Sequence, residues 1–142
     1  MAFNVLIVDD SSSMRAVIKK IIKVSRFDVG EYWEAADGEK AMEVLGNNWV
    51  DLVLTDINMP NMNGLELITE MKKDHLLSSI PIVVITTEGS EKRVQESMKM
   101  GASGYIKKPF QPEEVMMTLT GIMGEVEDGE RDLDEGDEGG DF

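Results

Sequence analysis

Apolar and polar positions along this chain follow two alternating rhythms. Short unbroken apolar runs, the length of a buried strand, are each followed by stretches in which apolar residues recur every three or four positions, the mark of a helix packed on one face. Val5-Leu6-Ile7-Val8 is the first run. Ser11, Ser12 and Ser13 then offer capping hydroxyls. Met14, Val17, Ile18, Ile21 and Ile22 form a helical stripe, with Arg15, Lys19, Lys20 and Lys23 assigned to the solvent face. Glu31–Ala35 reads as a second strand, less apolar and so suited to a sheet edge. Asp37-Gly38 turns the chain into a helix over Glu39–Leu45.

A third run, Leu52-Val53-Leu54, ends at Asp56, and Pro60 and Gly64 punctuate the loop that follows. Leu65, Ile68 and Met71 mark the next helix. Ile80–Ile85 is the fourth strand, with Pro81 tolerable near its start. Ser90–Met100 is a helix closed by Gly101, and Gly104–Lys107 is a short fifth strand. Pro112 suits the first turn of a last helix whose inner face is Val115, Leu119, Ile122 and Met123. Five strands alternating with five helices predict an α/β fold, a doubly wound parallel sheet covered on both faces.

In such sheets chemistry gathers outside the carboxyl ends of the strands. Those ends carry Asp9-Asp10, Asp56, Thr86 and Lys108. Singly, each is most simply a cap, a turn former or a solvated side chain. All four at successive strand ends are hard to dismiss together. Two neighbouring strands would bring three carboxylates into one crevice, a set that favours a divalent cation and offers a carboxylate nucleophile. Mg²⁺ suits these oxygen donors. Zn²⁺ does not, because there is no Cys and the only His, His75, lies on a Lys-Lys-Asp-His stretch away from the strand ends.

Composition narrows the field. A 42% hydrophobic content fits a globular domain with a proper core. No apolar run is long enough to span a bilayer, and no leader precedes the first strand, so the reading is a soluble, cytoplasmic protein with no membrane partner. The formal net charge of −14 is uneven: Glu125–Phe142 holds ten acids and one Arg, leaving a net of −5 for residues 1–124. Neither part has the basic footprint of a nucleic-acid binder. The acidic, glycine-containing stretch 125–142 buries too little apolar surface to offset its ordering entropy and reads as a disordered tail. Of eleven methionines, Met14, Met42, Met71, Met98 and Met123 fall on inner helix faces, whereas Met59 and Met62 flank the Asp56 loop as contact residues. Trp33 and Trp49 are expected to pack at strand and helix ends.

Val8-Asp9-Asp10 before a Ser-capped helix, Asp56-Ile57-Asn58-Met59-Pro60, the Asn63-Gly64 turn, Thr86 and Lys108-Pro109-Phe110 together resemble the receiver domain of two-component response regulators. The resemblance covers Phe3 to about Gly124, so residues 1–124 are assigned to the receiver. The subtype most similar is the single-domain, CheY-like chemotaxis regulator, on Met14-Arg15 and Asn58–Leu67. The resemblance implies a flavodoxin-like sheet with strand order 2-1-3-4-5. It implies that Asp56 accepts a phosphoryl group and that Asp10, Asp56 and the Asn58 carbonyl bind Mg²⁺, with Asp9 acting through water. It also implies that Thr86 and Lys108 contact the phosphoryl group, that Tyr105 is the switch aromatic, and that Asn58 and Glu88 flank the position of the attacking water. The Lys108-Pro109 bond is cis in many relatives.

The implied partners are a histidine kinase as phosphodonor and a protein target such as a flagellar motor switch component, with the chain a monomer. ATP is not the expected donor, since neither a Gly-x-x-x-x-Gly-Lys-Ser/Thr loop nor a Gly-x-Gly-x-x-Gly turn is present. The protein is expected to catalyse only its own phosphorylation and dephosphorylation. A phosphorelay intermediate is the alternative within the family. A metal-dependent phosphatase with an Asp nucleophile is the alternative outside it, weakened because Asn58 stands where such enzymes place a second acid. A pseudo-receiver is disfavoured by the complete set Asp9, Asp10, Asp56, Thr86 and Lys108.

Overall fold

The structure, a computed structural model, describes residues 2–87 and 91–124. Five parallel strands, β1 (Phe3–Val8), β2 (Val29–Ala35), β3 (Leu52–Asp56), β4 (Ile82–Thr86) and β5 (Gly104–Lys107), form one sheet in the order β2-β1-β3-β4-β5. The helices are α1 (Ser12–Ser25), α2 (Gly38–Asn47), α3 (Gly64–Lys73), α4 (Glu91–Met100) and α5 (Pro112–Leu119), the last running on into a π turn at Thr120–Gly124. The expected α/β architecture and strand order are both present. β2 is an edge strand, as its mixed composition predicted, but it begins two residues early, at Val29.

The sheet has two buried faces because side chains alternate along each strand. Val5 and Ile7 of β1, Leu52 and Leu54 of β3, and Val83 and Ile85 of β4 pack against Ile18 and Ile22 of α1 and Val115 and Leu119 of α5. Leu6, Val8, Val53, Ile82 and Val84 face the other way, onto Ala41 and Leu45 of α2 and Leu67, Ile68 and Met71 of α3. With faces of this kind, each fully buried aliphatic side chain contributes about 1.5–3 kcal/mol of transfer free energy. α4 lies beside α3 and buries only Val94 and Ser97 among its own residues.

Several helices start where the side-chain chemistry directs. Ser11 caps α1, its hydroxyl accepting from the Met14 amide at 3.1 Å. Asp37 caps α2 by accepting from the Lys40 amide at 2.9 Å. Asn63 and Glu66 form a reciprocal capping box on α3. Gly101 ends α4 at φ 120, a conformation in which a Cβ would be strained.

Some side chains depart from the sequence reading. Val17 and Met98, assigned to inner faces, are 46% and 39% exposed. Met59 and Met62, expected as contact residues, instead pack against the core on the α2–α3 side. Met62 also receives the Gly38 amide on its carbonyl at 2.9 Å, and its side chain fills the space a Cβ at position 38 would need. Trp33 packs against the core, but Trp49 stands 78% exposed, with its indole Nε1 donating to Asp51 at 3.1 Å. A 3.6-residue period places a residue on a helix face; it does not say where a neighbouring helix ends and leaves that face open. Glu88 and the acidic stretch 125–142 lie outside the described residues.

Candidate functional site

Strand order places the candidate residues in a row along one end of the sheet. β1 and β3 are neighbours, with Val8 paired to Thr55, so Asp9 and Asp10 emerge beside Asp56. β4 follows with Thr86 as its last residue, and β5 delivers Lys107 opposite Thr86. The Lys108 amide donates to the Thr86 carbonyl at 2.7 Å, tying the last two strand ends together. The Lys108-Pro109 peptide is cis.

Carboxylate oxygens of Asp9, Asp10 and Asp56 all lie within 4.8 Å of one another. Their surroundings differ. Asp9 is buried, one oxygen accepting from the Ser11 amide at 2.9 Å. Its other oxygen, Oδ2, is buried with no hydrogen-bond partner among the described residues, the nearest cation being Lys108 Nζ at 3.7 Å. Asp10 is exposed. Asp56 is half-buried, and its Oδ1 accepts from the Ile57 amide at 2.8 Å.

Burial raises the Asp56 carboxyl above its ordinary range. The Lys108 ammonium opposes this, and the charges of Asp9 and Asp10 add to it. Three carboxylates against one ammonium leave the crevice at a net of −2. A buried carboxylate oxygen with no donor is costly, and a single divalent cation answers both the orphaned oxygen and the excess charge. The donor set is all oxygen, which fits Mg²⁺.

The raised value has a consequence for stability. In the unfolded chain Asp56 titrates as an ordinary carboxyl; in the folded protein it holds its proton to higher pH. The stability linked to it is therefore full below the unfolded value and is lost as pH rises through the folded one. In EDTA at neutral pH, Asp56→Asn should be more resistant to urea than the parent. The difference should close as the pH is lowered towards about 4. Equal midpoints at neutral pH would show that burial and mutual repulsion do not burden Asp56.

Thr86 is buried, and its hydroxyl donates to the Thr87 carbonyl at 3.2 Å. Tyr105 is on β5 but not in the crevice: its side chain is 46% exposed, beside Met98 on one flank and Met117 on the other. Asn58 sits in the loop after β3 and accepts from Arg93 of α4 at 2.9 Å. His75 is exposed between α3 and β4 and is not part of the acidic cluster.

Arg15 was assigned to the solvent face of α1, and the structure corrects this. Its side chain is only 16% exposed. Nη1 donates to the Asp9 carbonyl at 2.6 Å and Nε to Glu34 of β2 at 2.9 Å, while Lys19 takes the second Glu34 oxygen at 2.9 Å. Lys19 and then Arg15 hold the Glu34 carboxyl below its usual range. Arg15 thus anchors the backbone of the loop that carries two of the three acids. Its spacing, six residues after Asp9 and one turn into a helix, was the only hint available in the sequence.

The model for the response regulator receiver domain matches residues 5–120. The chain is 40% identical over 122 residues to the chemotaxis protein CheY1 of Helicobacter pylori, covering 85% of this chain and 97% of that protein. It is 38% identical over the same length to the chemotaxis protein CheY homolog of Campylobacter jejuni, 92% of which is covered. Among solved structures, the chemotaxis response regulator CheY4 of Vibrio cholerae superposes with a TM-score of 0.74 at 32% identity, covering 87% of this chain and 100% of that one. A CheY-like receiver domain protein of Methanospirillum hungatei gives 0.74 at 27% identity, with coverages of 89% and 98%. The chain thus has close counterparts in sequence and in its 2-1-3-4-5 fold, and it belongs to the response regulator receiver family, among its CheY-like chemotaxis members.

Proposed function

We propose that Asp56 accepts a phosphoryl group from a histidine kinase and that the modified protein switches a protein-binding surface in chemotaxis. The observation that carries this reading is the cluster of three carboxylates within 4.8 Å, one of them with a buried oxygen lacking a donor and facing Lys108. Asp9, Asp10, Asp56 and the carbonyl of Asn58 would hold Mg²⁺. When bound, the cation supplies charge neutralisation for the phosphoryl oxygens and the acids around them.

The chemistry asked of the chain is small. An Asp56 oxygen attacks phosphorus in line as the P–N bond of phosphohistidine breaks, and the imidazole leaves with its electron pair and takes up a proton. An acyl phosphate remains on Asp56. Asp9 and Asp10 would keep a bound cation in place, and the Lys108 ammonium, now beside Asp9, would have a phosphoryl oxygen as a better-charged partner. Thr86 can exchange its local bond to the Thr87 carbonyl for one to the phosphoryl group. Because the Lys108 amide is bonded to the Thr86 carbonyl, a change at either residue is felt at the other strand end.

The surface to be switched is that of α4, β5 and α5. Tyr105, Met98, Met116 and Met117 are exposed there, an unusual grouping of large apolar side chains on a strongly acidic protein. A flagellar motor switch component is the partner we favour, because the relatives named above are chemotaxis proteins. The setting for such a partner is the cytoplasm; no helix among the described residues is long and apolar enough to cross a membrane.

A pull-down with and without beryllofluoride and Mg²⁺ tests the reading. Load-dependent capture of a motor switch component supports it, whereas capture of a histidine phosphotransfer domain instead would assign the chain to a relay. Lys108→Ala should still be labelled by acetyl phosphate. Its gain in target affinity on beryllofluoride loading should shrink by about tenfold, the worth of one charge-assisted hydrogen bond. An undiminished gain would remove Lys108 from the coupling.

A further inference from the structure

Asn58 and Arg93 are 35 residues apart in sequence, yet Arg93 Nη1 donates to Asn58 Oδ1 at 2.9 Å. The bond joins the first turn of α4 to the loop that follows Asp56. Since a guanidinium only donates, the contact also fixes which end of the Asn58 amide is engaged: the oxygen is committed to Arg93 and the NH₂ group is left for other partners. α4 has few other anchors. Glu91 pairs with Lys107 of β5 at 3.1 Å across exposed surface, only Val94 and Ser97 of its residues are buried, and Ser97 spends its hydroxyl on the Val94 carbonyl within the helix.

The bond coexists with two further features of the site: the Thr86 hydroxyl is occupied by the Thr87 carbonyl, and the Tyr105 side chain is exposed. A phosphoryl group on Asp56 adds a bulky dianion two residues from Asn58, in the loop whose position sets the bond to Arg93. The Asn58 carbonyl is also one of the groups that would hold Mg²⁺, so loading the site shifts the residue that accepts from Arg93 and breaks the bond. We propose that the Arg93–Asn58 bond is a latch that holds α4 to the phosphoacceptor loop in the unphosphorylated protein, and that its release is part of switching. Arg93 is then a positioning residue whose removal biases the protein towards the switched state. The inference rests on the proposed role of Asp56.

By linkage, weakening a contact made only in the unswitched state must tighten any ligand that favours the other state, by the same factor. The probe is beryllofluoride with Mg²⁺, titrated calorimetrically into the full chain. Arg93→Met and Asn58→Ala should each bind it about three- to tenfold more tightly than the parent, as expected for the loss of one exposed charge–amide bond. The double variant should gain no more than either single one, and Arg93→Lys should return most of the way to the parent. Hydrogen exchange gives a readout that a merely structural role would not move in the same way. α4 amides should exchange faster in Arg93→Met than in the parent before loading, and at the same rate after it. Unchanged affinities, additive effects, or faster exchange in both states would overturn the latch while leaving Asp56 as the acceptor. A parent chain that binds no beryllofluoride would overturn both the latch and the functional reading beneath it.

Discussion

Asp56→Asn should leave the protein folded and abolish its labelling by acetyl phosphate. The amide keeps the size of the carboxylate but supplies no anionic oxygen to form a mixed anhydride. The other two acids do not replace it: Asp9 is buried with one oxygen held by the Ser11 amide, and Asp10 is exposed beyond the end of β1. Asp56 combines partial burial, a raised carboxyl and a place at the strand end between its two acidic neighbours and Thr86. Loss of a sole nucleophile costs at least on the order of 100-fold in rate. Mass spectrometry of the acid-labile adduct, with and without EDTA, measures both the residue and the need for a divalent cation. Equal labelling of variant and parent would remove Asp56 from the acceptor role, and labelling undiminished by EDTA would remove the metal.

The second large effect is expected at a residue with no chemistry of its own. A Cβ at position 64 would collide with the backbone carbonyl of Asp56 and come within 2.9 Å of the Ile57 Cα. The Gly64 amide also donates to the Ile57 carbonyl at 2.8 Å, so the first residue of α3 is seated directly on the end of β3. Backbone cannot step aside as a flexible side chain can. Gly64→Ala should therefore cost roughly 1–3 kcal/mol of stability, the usual range for overpacking. It should also slow labelling by acetyl phosphate on the order of 100-fold, because a displacement of about 1 Å at a reacting group is enough for that. Urea denaturation and the labelling rate measure the two effects separately. A variant with parental stability and parental rate would show that the close approach does not set the position of Asp56.

Much of this site was legible in the sequence, and for a definite reason. Strand ends are found by where apolar runs stop, and Asp9, Asp10, Asp56, Thr86 and Lys108 stand at those stops. Strand order was not legible from periodicity, since a crossover helix can carry the chain to either side; the 2-1-3-4-5 order came from resemblance to a family. Long polar side chains were the least legible. Arg15 follows the helical period of a solvent-facing residue, yet its reach lets it bend back to the Asp9 carbonyl and to Glu34 on a different strand. Arg93 meets Asn58 only because the fold brings α4 over the loop after β3. Met59 and Met62 illustrate the opposite error: a loop position suggests exposure, but Gly38 leaves an opening that the Met62 side chain fills.

The strand order also divides the molecule's heredity. The acids come from β1 and β3, whereas the hydroxyl, the lysine and the exposed aromatic come from β4 and β5. The border between the two groups is a single ladder, β3 against β4. Mutations on the outward faces of α4, β5 and α5 can remould the exposed methionines and Tyr105 without touching the three acids of the first three strands. A lineage of such proteins is thus free to change its listeners without relearning how to be spoken to.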